Sequence, residues 1–351
     1  MTPPAVLSYP SKARPGDRVG IVSAAAGLPG RFPEVYELGL RRLRDELHLE
    51  PVEYPTTRAT DASPAERAAD LHAAFADPST TAVLATIGGE DQITVLPYLD
   101  PTVLRANPKP FLGYSDNTNL LVYLWNQGIV SYHGGSVMVH LGRPRRTHPT
   151  TMDSLRAALF THDWYELPAV AEFGDEPGCD WADQSTLDNE PPVQPADPWY
   201  WHQGDRVVEG PTWGGNLEIL SWLLQVGREI REPDAYAGCV LLLETSEEMP
   251  PAIEVYRILR HMGERGLLRQ FPAILVGRAK AWDRVQPLAP PDRIRYRADQ
   301  RAAILRAIGE YHPEAMVVFD LDFGHTDPQV IVPCGGTVRV DGPARRISVR
   351  Y

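Results

Sequence analysis

Residues 110–120 have the sequence Pro110-Phe111-Leu112-Gly113-Tyr114-Ser115-Asp116-Asn117-Thr118-Asn119-Leu120 and predict a strand, a sharp turn and a helix in succession. The apolar run ends at Gly113, and Ser115 follows two residues later. A turn of this kind lifts one side chain clear of the sheet and directs the next backbone N–H groups to the same spot. A serine hydroxyl placed there suits nucleophilic acyl transfer; the alternative is that Ser115 or Asp116 only caps the helix.

The composition limits the classes of protein to which the chain can belong. Its 351 residues, 43% of them hydrophobic, are enough for two domains with separate cores. The formal net charge of -12 argues against a nucleic-acid polymer as partner, because a phosphate-binding face needs clustered Lys and Arg. No apolar run has the length of a membrane span or of a signal peptide.

The three cysteines, Cys179, Cys239 and Cys334, lie far apart in the sequence. Their odd number argues against a disulfide framework, and they lack the paired spacing of a zinc site. We therefore expect a cytoplasmic protein that binds neither a membrane nor a metal.

Apolar runs alternate with helical patterns through the first half of the chain. Strands are predicted over residues 18–23, 81–87, 111–112 and 129–132, with helices from about Pro33, from Ser63 to about Ala76, and after Ser115. This alternation predicts a parallel sheet with helices on both faces. The loops that follow the strands converge at one sheet edge, where ligands of such folds bind.

We expect three regions along the chain. Residues 1–166 form an N-terminal α/β domain, residues 167–203 a linker, and residues 204–351 a C-terminal domain of mixed β and α structure. The linker is rich in Pro, Asp and Glu and contains Trp181, Trp199 and Trp201, which either stack on a substrate or pack. In the last region, residues 239–243, 271–276 and 316–319 are predicted strands, and residues 337–340 and 347–350 a closing hairpin.

A nucleophilic serine needs a base, and the base needs an orienting carboxylate. Glu244 directly follows an apolar strand, and His325 lies in a loop beside Gly324. Glu244 could instead cap a helix, and His325 could be satisfied by the local backbone. His133, flanked by Gly134 in the first half, is a further histidine at a strand end.

Two other catalytic classes fit the sequence less well. The elbow of α/β-hydrolases, G-x-S-x-G, has glycine where this chain has Asn117. A metalloenzyme is not favoured, because Asp320, Asp322 and Asp327 lack the spacing of a ligand set. No cofactor is predicted.

Six short motifs together resemble one family. They are Thr86-Ile87-Gly88-Gly89, Gly113-Tyr114-Ser115-Asp116, Tyr132-His133-Gly134, Gly214-Gly215-Asn216-Leu217, the Leu-Leu-Glu244 strand end and Gly324-His325. In this order they resemble the LD-carboxypeptidase family of serine peptidases over nearly the whole chain. The resemblance implies a parallel α/β domain, a mixed β/α domain, and a catalytic triad assembled between them, usually in a homodimer.

The resemblance also implies a role for individual residues. Ser115 would be the nucleophile, His325 the general base and Glu244 the acid that fixes its tautomer. The backbone N–H groups of Gly89 and Asp116 would form the oxyanion hole.

Substrate contacts are implied as well, and they depend on the branch of the family. They would come from Gly88, Asn216, Trp199, Trp201 and Trp213. One branch removes a D-amino acid from murein tetrapeptides, and the other resembles the microcin immunity protein MccF, which cleaves the amide of aminoacyl-nucleotides.

The sequence favours the MccF-like branch, with a small peptide or aminoacyl-nucleotide as substrate. Ile87 replaces the arginine expected before Gly-Gly in the murein branch, and the linker carries tryptophans. Glu247 and Glu248 would, however, repel a nucleotide phosphate, so the murein alternative stays open. A non-catalytic binding protein that uses the same crevice is the alternative of another class.

Overall fold

The computed structural model describes residues 7–283, 285 and 287–351. Its strands are β1 Arg18–Val22, β2 Glu50–Glu53, β3 Thr80–Ala85, β4 Phe111–Gly113, β5 Ser131–His133, β6 Trp164–Glu166, β7 Glu172–Phe173, β8 Gln194–Pro195, β9 Tyr200–His202, β10 Val207–Asn216, β11 Val240–Glu244, β12 Ala273–Gly277, β13 Met316–Leu321, β14 Val332–Cys334, β15 Thr337–Asp341 and β16 Arg346–Arg350. Its α-helices are α1 Leu28–Arg31, α2 Pro33–Leu47, α3 Pro64–Ala76, α4 Pro101–Ala106, α5 Thr118–Asn126, α6 Pro149–Phe160, α7 Leu217–Val226, α8 Ala252–Glu264 and α9 Pro290–Tyr311.

The first sheet has six strands in the order β14-β5-β4-β3-β1-β2. Strands β1 to β5 pair in parallel, and β14 joins the edge antiparallel to β5. Their central residues are buried on both faces, as parallel strands covered by helices require. The predicted parallel α/β sheet is confirmed.

The second sheet has eight strands in the order β6-β16-β15-β10-β11-β12-β13-β9. Strands β10 to β13 pair in parallel, and the outer strands are antiparallel. The mixed β/α character expected of the second half is therefore confirmed. The predicted closing hairpin corresponds to β15 and β16.

Local sequence signals account for several helix boundaries. Ser63 and Glu66 form the predicted capping box of α3, in which each side chain satisfies the other residue's backbone N–H. Asn216 caps α7 by accepting a hydrogen bond from the Ile219 N–H at 3.0 Å. Gly227 ends α7 in the left-handed conformation that glycine adopts most easily.

Each sheet contains a strand that comes from the other side of the predicted division into residues 1–166 and 204–351. Strand β6 from the first half pairs with β16 in the second sheet, and β14 from the second half pairs with β5 in the first sheet. The predicted linker, residues 167–203, also contributes β9 to the second sheet beside β13. The division into three regions stays a prediction. The two sheets do not follow it, because each includes strands from more than one region.

Two clusters of buried apolar side chains hold the fold together, and each contains residues from both halves. One includes Trp125 and Trp213, and the other includes Leu112 and Leu242. Among the described residues, no helix is both long and apolar enough to cross a membrane.

Candidate active site

Ser115 lies at the turn between β4 and α5, where the backbone takes an unusual conformation. Its φ angle is 61°, a region that L-residues other than Asn and Asp rarely adopt. Residues Ser115–Asn117 form a short 3₁₀ turn before α5, and no side chain caps either helical segment. The alternative of a simple capping residue is therefore wrong, and the strained turn presents the Ser115 side chain at the sheet edge.

A buried polar network supports this turn. Gln92 donates from Nε2 to Asn117 Oδ1 at 2.8 Å and accepts from the Leu120 N–H at 3.1 Å. Asp116 accepts from the Gln92 N–H at 2.9 Å and from Asn119 Nδ2 at 2.8 Å. Burial raises the pKa of Asp116 to about 6. These hydrogen bonds join Gln92 to residues on the Ser115 turn and in α5. The conformation of the turn is therefore fixed by this network as well as by its own backbone.

Glu244 and His325 form a buried pair. Strand β11 ends at Glu244, which is 1% exposed, and His325 lies in the loop after β13. His325 Nδ1 lies 2.5 Å from Glu244 Oε2. Gly277 and Gly324 allow the contact, since a Cβ on either would lie 2.8 or 3.1 Å from Glu244 Cβ.

The protonation of the pair follows from its surroundings. Burial opposes ionisation of Glu244, but the nearby His325 outweighs it and lowers the pKa of the carboxyl. Burial likewise opposes protonation of His325, but the carboxylates of Glu244 and Glu247 outweigh it and raise the pKa of the imidazole. The lowered pKa of Glu244 and the raised pKa of His325 are those of a charge-assisted hydrogen bond between them. This bond fixes the orientation of the imidazole ring.

The other ring nitrogen of His325 faces a second carboxylate. His325 Nε2 lies 3.3 Å from Glu247 Oε2, on a side chain that is 55% exposed. Among the described residues, no hydrogen bond joins Ser115 Oγ to His325. Catalytic hydrogen bonds are often loose in the absence of substrate, so this geometry is compatible with a serine that engages the ring later.

Ser115 and His325 line one cavity of about 770 Å³. Residues that follow β3, β4, β11, β12 and β13 meet there, which are Gly88, Gly89, Ser115, Ser246, Glu247, Lys280 and His325. The carboxyl ends of strands from both sheets therefore face the same space, as expected for ligand sites in α/β folds. Its size suits a small organic ligand.

The cavity is acidic. Its walls carry Glu90, Asp91, Glu218, Glu247 and Glu248. Asp91 is neutralised by two hydrogen bonds of 2.8 Å from Arg67. Burial, with the nearby Glu244, raises the pKa of Glu218 to about 7.

The family models match both halves of the chain. The LD-carboxypeptidase N-terminal domain matches residues 19–134, and the LD-carboxypeptidase C-terminal domain matches residues 209–340. A murein tetrapeptide carboxypeptidase of Pseudomonas aeruginosa is 30% identical over 270 residues, which cover 74% of this chain and 76% of that protein. The chain belongs to the LD-carboxypeptidase family. The resemblance drawn from the six motifs is thereby confirmed.

An MccF protein and an MccF-like protein are also similar to this family member. The microcin C7 self-immunity protein MccF of Escherichia coli is 25% identical over 363 residues, covering 98% of this chain and 97% of that protein. A crystal structure of an MccF-like protein from Streptococcus pneumoniae in complex with AMP superimposes with a TM-score of 0.84. It is 25% identical and covers 95% of this chain and 99% of that chain.

The structure brings most of the predicted site residues of this LD-carboxypeptidase family member together. Gly88 and Asn216 line the cavity with Ser115. A Cβ on Gly88 would lie 2.9 Å from Ser115 Cβ, so only glycine leaves room beside the serine. Gly89 lies in the same wall, and Asp116 directly follows Ser115 at the turn.

The structure places the three predicted substrate-binding tryptophans elsewhere. Trp213 is 0% exposed and packs against Tyr236 and Phe271, with ring centroids 4.6 and 5.9 Å away. Trp199 and Trp201 pack against the other core cluster and line none of the described active-site walls. Their alternative interpretation as packing residues therefore fits the structure.

Of the linker tryptophans, Trp181 lines the cavity and forms aromatic surface there with Trp222. Sequence reasoning missed Trp222, and it gave no role to Tyr114 and Lys280, which border His325. Lys280 follows the end of β12, so the rule that selected Glu244 and His325 at strand ends could have found it. Nothing in the sequence marked Trp222, which lies within α7. Among the described residues, no group of three or more His, Cys, Asp or Glu side chains could hold a metal ion.

Proposed function

We propose that this LD-carboxypeptidase family member hydrolyses an amide bond next to an aminoacyl group, with Ser115, His325 and Glu244 as its catalytic triad. The observation that carries the proposal is the 2.5 Å contact between His325 Nδ1 and the buried Glu244, at the edge of the cavity that Ser115 also lines. A buried carboxylate held against Nδ1 directs Nε2 toward the cavity, where it can exchange a proton with a nucleophile when the exposed Glu247 side chain, 3.3 Å away, gives place to it.

The reaction follows from these positions. Ser115 Oγ attacks the carbonyl carbon, and its proton passes to His325 Nε2. The C–N bond then breaks as His325 returns that proton to the leaving nitrogen, which releases the amine and leaves an acyl-serine ester. Water, deprotonated by His325, attacks the ester and frees the acid and Ser115.

The backbone N–H groups of Gly89 and Asp116 would stabilise the oxyanion. Asp116 N belongs to the first residue after the proposed nucleophile, at the start of a helical turn. Gly88, the neighbour of Gly89, lies so close to the serine that a Cβ added to it would be 3.0 Å from Ser115 Oγ. Hydrogen-bond donors fixed in this way are worth about 10²–10³ in rate each.

The substrate we favour is an aminoacyl- or peptidyl-nucleotide, as for an MccF-like detoxifying enzyme. The match to MccF spans 98% of this chain, whereas the murein carboxypeptidase matches 74%. The similar MccF-like protein of Streptococcus pneumoniae was crystallised with AMP. Trp181 and Trp222 supply aromatic surface in the cavity on which a base could stack.

A murein tetrapeptide is the second candidate substrate, and the charge of the cavity favours it. Glu247 and Glu248 lie in the wall beside His325, where a phosphate would be repelled. A peptide carries singly charged carboxylates but no phosphate, so it is repelled less strongly. We also keep as proposals a homodimeric state and a cytoplasmic location, which follow from the family resemblance and the cysteine content.

Mass spectrometry of two reactions tests the proposal. The protein is incubated with an aminoacyl-nucleotide and, separately, with a murein tetrapeptide, and the masses of the products are measured. We expect cleavage of one of them by the wild-type protein and a loss of about 10³-fold or more in Ser115→Ala.

Ser185→Ala is the matched control, because Ser185 is exposed and lies outside the cavity. It should cleave at the wild-type rate and should still carry a fluorophosphonate label on Ser115. Cleavage by Ser115→Ala at the wild-type rate would contradict the triad. Tight binding without turnover, and with no label on Ser115, would identify a binding protein instead.

A further inference from the structure

A cavity of about 260 Å³ adjoins the candidate active-site cavity at the loop that follows β1. The two cavities share Ala26, Leu28 and Asp91 as wall residues, which places the two spaces side by side. We call the smaller one the arginine cavity, because its walls carry Arg31 and Arg67.

The arginine cavity lies at the carboxyl end of β1. Ser23 directly follows this strand and lines the cavity. Strand β1 pairs with β2 on one side and with β3 on the other, and both pairs are parallel. The chain leaves β1 toward β2 and then crosses to β3 on the opposite side, so the connections diverge at this point of the sheet. In open α/β sheets, such a topological switch point is where ligands bind.

Close packing and a hydrogen bond fix the walls of this cavity. Ser23 Oγ donates to Thr57 O at 2.6 Å, which joins the end of β1 to the segment after β2. The loop after β1 packs against the same segment, since a Cβ on Gly27 would lie 1.8 Å from Ala59 O. A larger residue at position 27 would therefore displace backbone, and the cavity is a built feature of the fold.

The charges in the arginine cavity leave one cation unmatched. Arg67 is buried and is matched by Asp91 through two hydrogen bonds of 2.8 Å, although its Nε has no hydrogen-bond partner among the described residues. Arg31 is exposed, and its Cζ lies 5.3 Å from the centroid of the Phe32 ring. Arg31 forms no ion pair in the part of the chain that the structure describes. With two arginines and one carboxylate in its walls, the cavity carries a net positive charge.

This charge is opposite to that of the larger cavity. Glu90, Glu247 and Glu248 are among the carboxylates in the walls of the larger cavity. A carboxylate on a substrate would be repelled there and attracted to the guanidinium groups of the arginine cavity. A guanidinium also matches a planar carboxylate, to which it can donate two parallel hydrogen bonds.

The proposed reaction decides which half of the substrate faces the arginine cavity. The leaving nitrogen must lie beside His325, which gives it a proton, and His325 is not in the walls of the arginine cavity. The loop after β1 lies instead against the proposed oxyanion hole. Ala26 N donates to Gly88 O at 3.1 Å, and a Cβ on Gly89 would lie 2.8 Å from Ala26 N. The acyl half extends from the carbonyl away from His325, so it is the half that lies toward this loop.

We propose that the arginine cavity is an anion subsite, in which Arg31 binds a carboxylate on the acyl half of the substrate and Arg67 forms part of the wall behind it. The assignment rests on the proposed amide hydrolysis. A volume of about 260 Å³ is below the roughly 300–1,000 Å³ of pockets that enclose a whole ligand, so the subsite suits one group of a larger substrate. Free phosphate has similar anionic chemistry and is distinguished by experiment.

Paired substrates test the subsite by kinetics. One pair is an aminoacyl-nucleotide with a glutamyl or a glutaminyl acyl group. The other pair is a murein tetrapeptide whose D-glutamate carboxylate is free or converted to a carboxamide. In the pair that the wild-type protein cleaves, we expect the carboxylate member to have a kcat/KM about 10- to 100-fold higher, the usual value of a charge-assisted hydrogen bond. Arg31→Gln should bring that ratio close to one.

Arg350→Gln is the matched control, because Arg350 is also an exposed arginine beside an aromatic ring, with its Cζ 5.8 Å from the Tyr9 centroid. Arg350 lines neither cavity. The variant should keep the wild-type preference, which separates a local contact from a general loss of positive charge. A wild-type ratio near one, or a preference that Arg31→Gln leaves unchanged, would overturn the subsite.

Calorimetry tests the subsite without turnover. The same two pairs and inorganic phosphate are titrated into Ser115→Ala protein and into Ser115→Ala/Arg31→Gln protein. We expect the carboxylate member to bind more tightly in at least one pair, and this advantage to disappear with Arg31→Gln. Equal binding within both pairs would overturn the subsite, as would phosphate that binds more tightly than the carboxylate substrates with the same dependence on Arg31. If no substrate is cleaved while the expected binding pattern remains, only the proposed function is overturned.

Discussion

The backbone of Ser115, the proposed nucleophile, is kept in a conformation that is unfavourable for an L-residue. A φ of 61° costs an L-residue on the order of 1 kcal/mol, whereas glycine pays almost none of that cost. We therefore predict that Ser115→Gly is more stable than Ser115→Ala by about 1 kcal/mol, measured by urea unfolding.

Position 185 provides the comparison, because Ser185 lies within a 3₁₀ turn at Gln184–Asp188. There the order should reverse, with Ser185→Ala more stable than Ser185→Gly, since glycine loses more chain entropy in a helical turn. Equal stability of the two variants at position 115 would show that the turn carries no strain.

Glu247 should set the acidic side of the pH–rate profile. As the proposed general base, His325 would act only when unprotonated. The carboxylates of Glu244 and Glu247 raise its pKa, so activity should fall as the pH drops through that raised value. Removing one carboxylate, in Glu247→Gln, lowers the pKa of His325. The acidic limb of kcat/KM should therefore move to lower pH.

Glu248→Gln is the control for this experiment, because Glu248 makes no contact within 4 Å of His325 among the described residues. Its effect on the acidic limb should be smaller than that of Glu247→Gln. An acidic limb that stays in place in Glu247→Gln would show that the 3.3 Å contact is absent in solution.

Individual site residues differ in how far the sequence could predict them. Ser115, Glu244 and His325 each lie at or beyond the end of an apolar strand, and the carboxyl ends of such strands meet at one edge, so position along the chain marked them as candidates. Their separate roles came only from the family resemblance. The role of Trp213 depends on which side of β10 faces the core, and that is decided by packing with Tyr236 and Phe271. No local pattern contains this information.

At the scale of elements, the turn before α5 depends on Gln92, which lies in a separate 3₁₀ turn after β3. Gln92→Ala would leave Asn117 Oδ1 and the Leu120 N–H buried without these partners. Each such group costs about 1–3 kcal/mol, so we predict a loss of about 2–4 kcal/mol in the free energy of unfolding. Labelling of Ser115 by fluorophosphonate should slow as well.

Gln270→Ala is a suitable comparison, because the Gln270 side chain is half-buried and makes one long bond of 3.4 Å to Gly266 O. Its stability should change by less than about 1 kcal/mol. If Gln92→Ala unfolds at the same urea concentration as the wild-type protein and Ser115 is labelled at the wild-type rate, the Gln92 network does not support the turn.

Helix α3 offers a change in stability that should leave the chemistry alone. Ser63→Ala removes the capping box and should cost about 1 kcal/mol, whereas Ser63→Asp keeps an N-cap acceptor and should cost less. Because Ser63 lies outside both cavities, kcat should not change. Thermal unfolding and steady-state kinetics of the two variants provide the test, and a fall in kcat would connect α3 to the site.

Elements were predictable where the local signal was strong. The capping box and the apolar stripe gave α3 and α2 close to their observed bounds, a β-branched run gave β1, and an apolar run gave β11. Strands β7, β8 and β9, each of two or three residues, could not be found in residues 167–203. Strand β9 is paired with β13, and β7 is paired with β8, so all three depend on contacts between residues that are distant in the sequence.

At the scale of the whole molecule, the two halves are joined by exchanged strands. Strand β14 completes the first sheet and β6 completes the edge of the second, so each half lacks a strand when taken alone. A sequence shows that a segment is a strand, but not which sheet it joins, because both sheets offer the same backbone groups. The exchange was therefore beyond sequence reasoning.

The exchange predicts that the two halves unfold together. Tyr351, the last residue, is fully buried, and its hydroxyl lies 2.5 Å from Ile331 O and 3.1 Å from Ser154 Oγ in α6. We expect one calorimetric transition with equal calorimetric and van't Hoff enthalpies, and no folded state for the fragments 1–166 and 204–351. Tyr351→Phe should lower the temperature of that single transition, because it removes the buried hydrogen bond to Ser154, which connects the halves, as well as the bond to Ile331. Two separate transitions, or a Tyr351→Phe effect confined to one of them, would show instead that the division into two domains is also a division in stability.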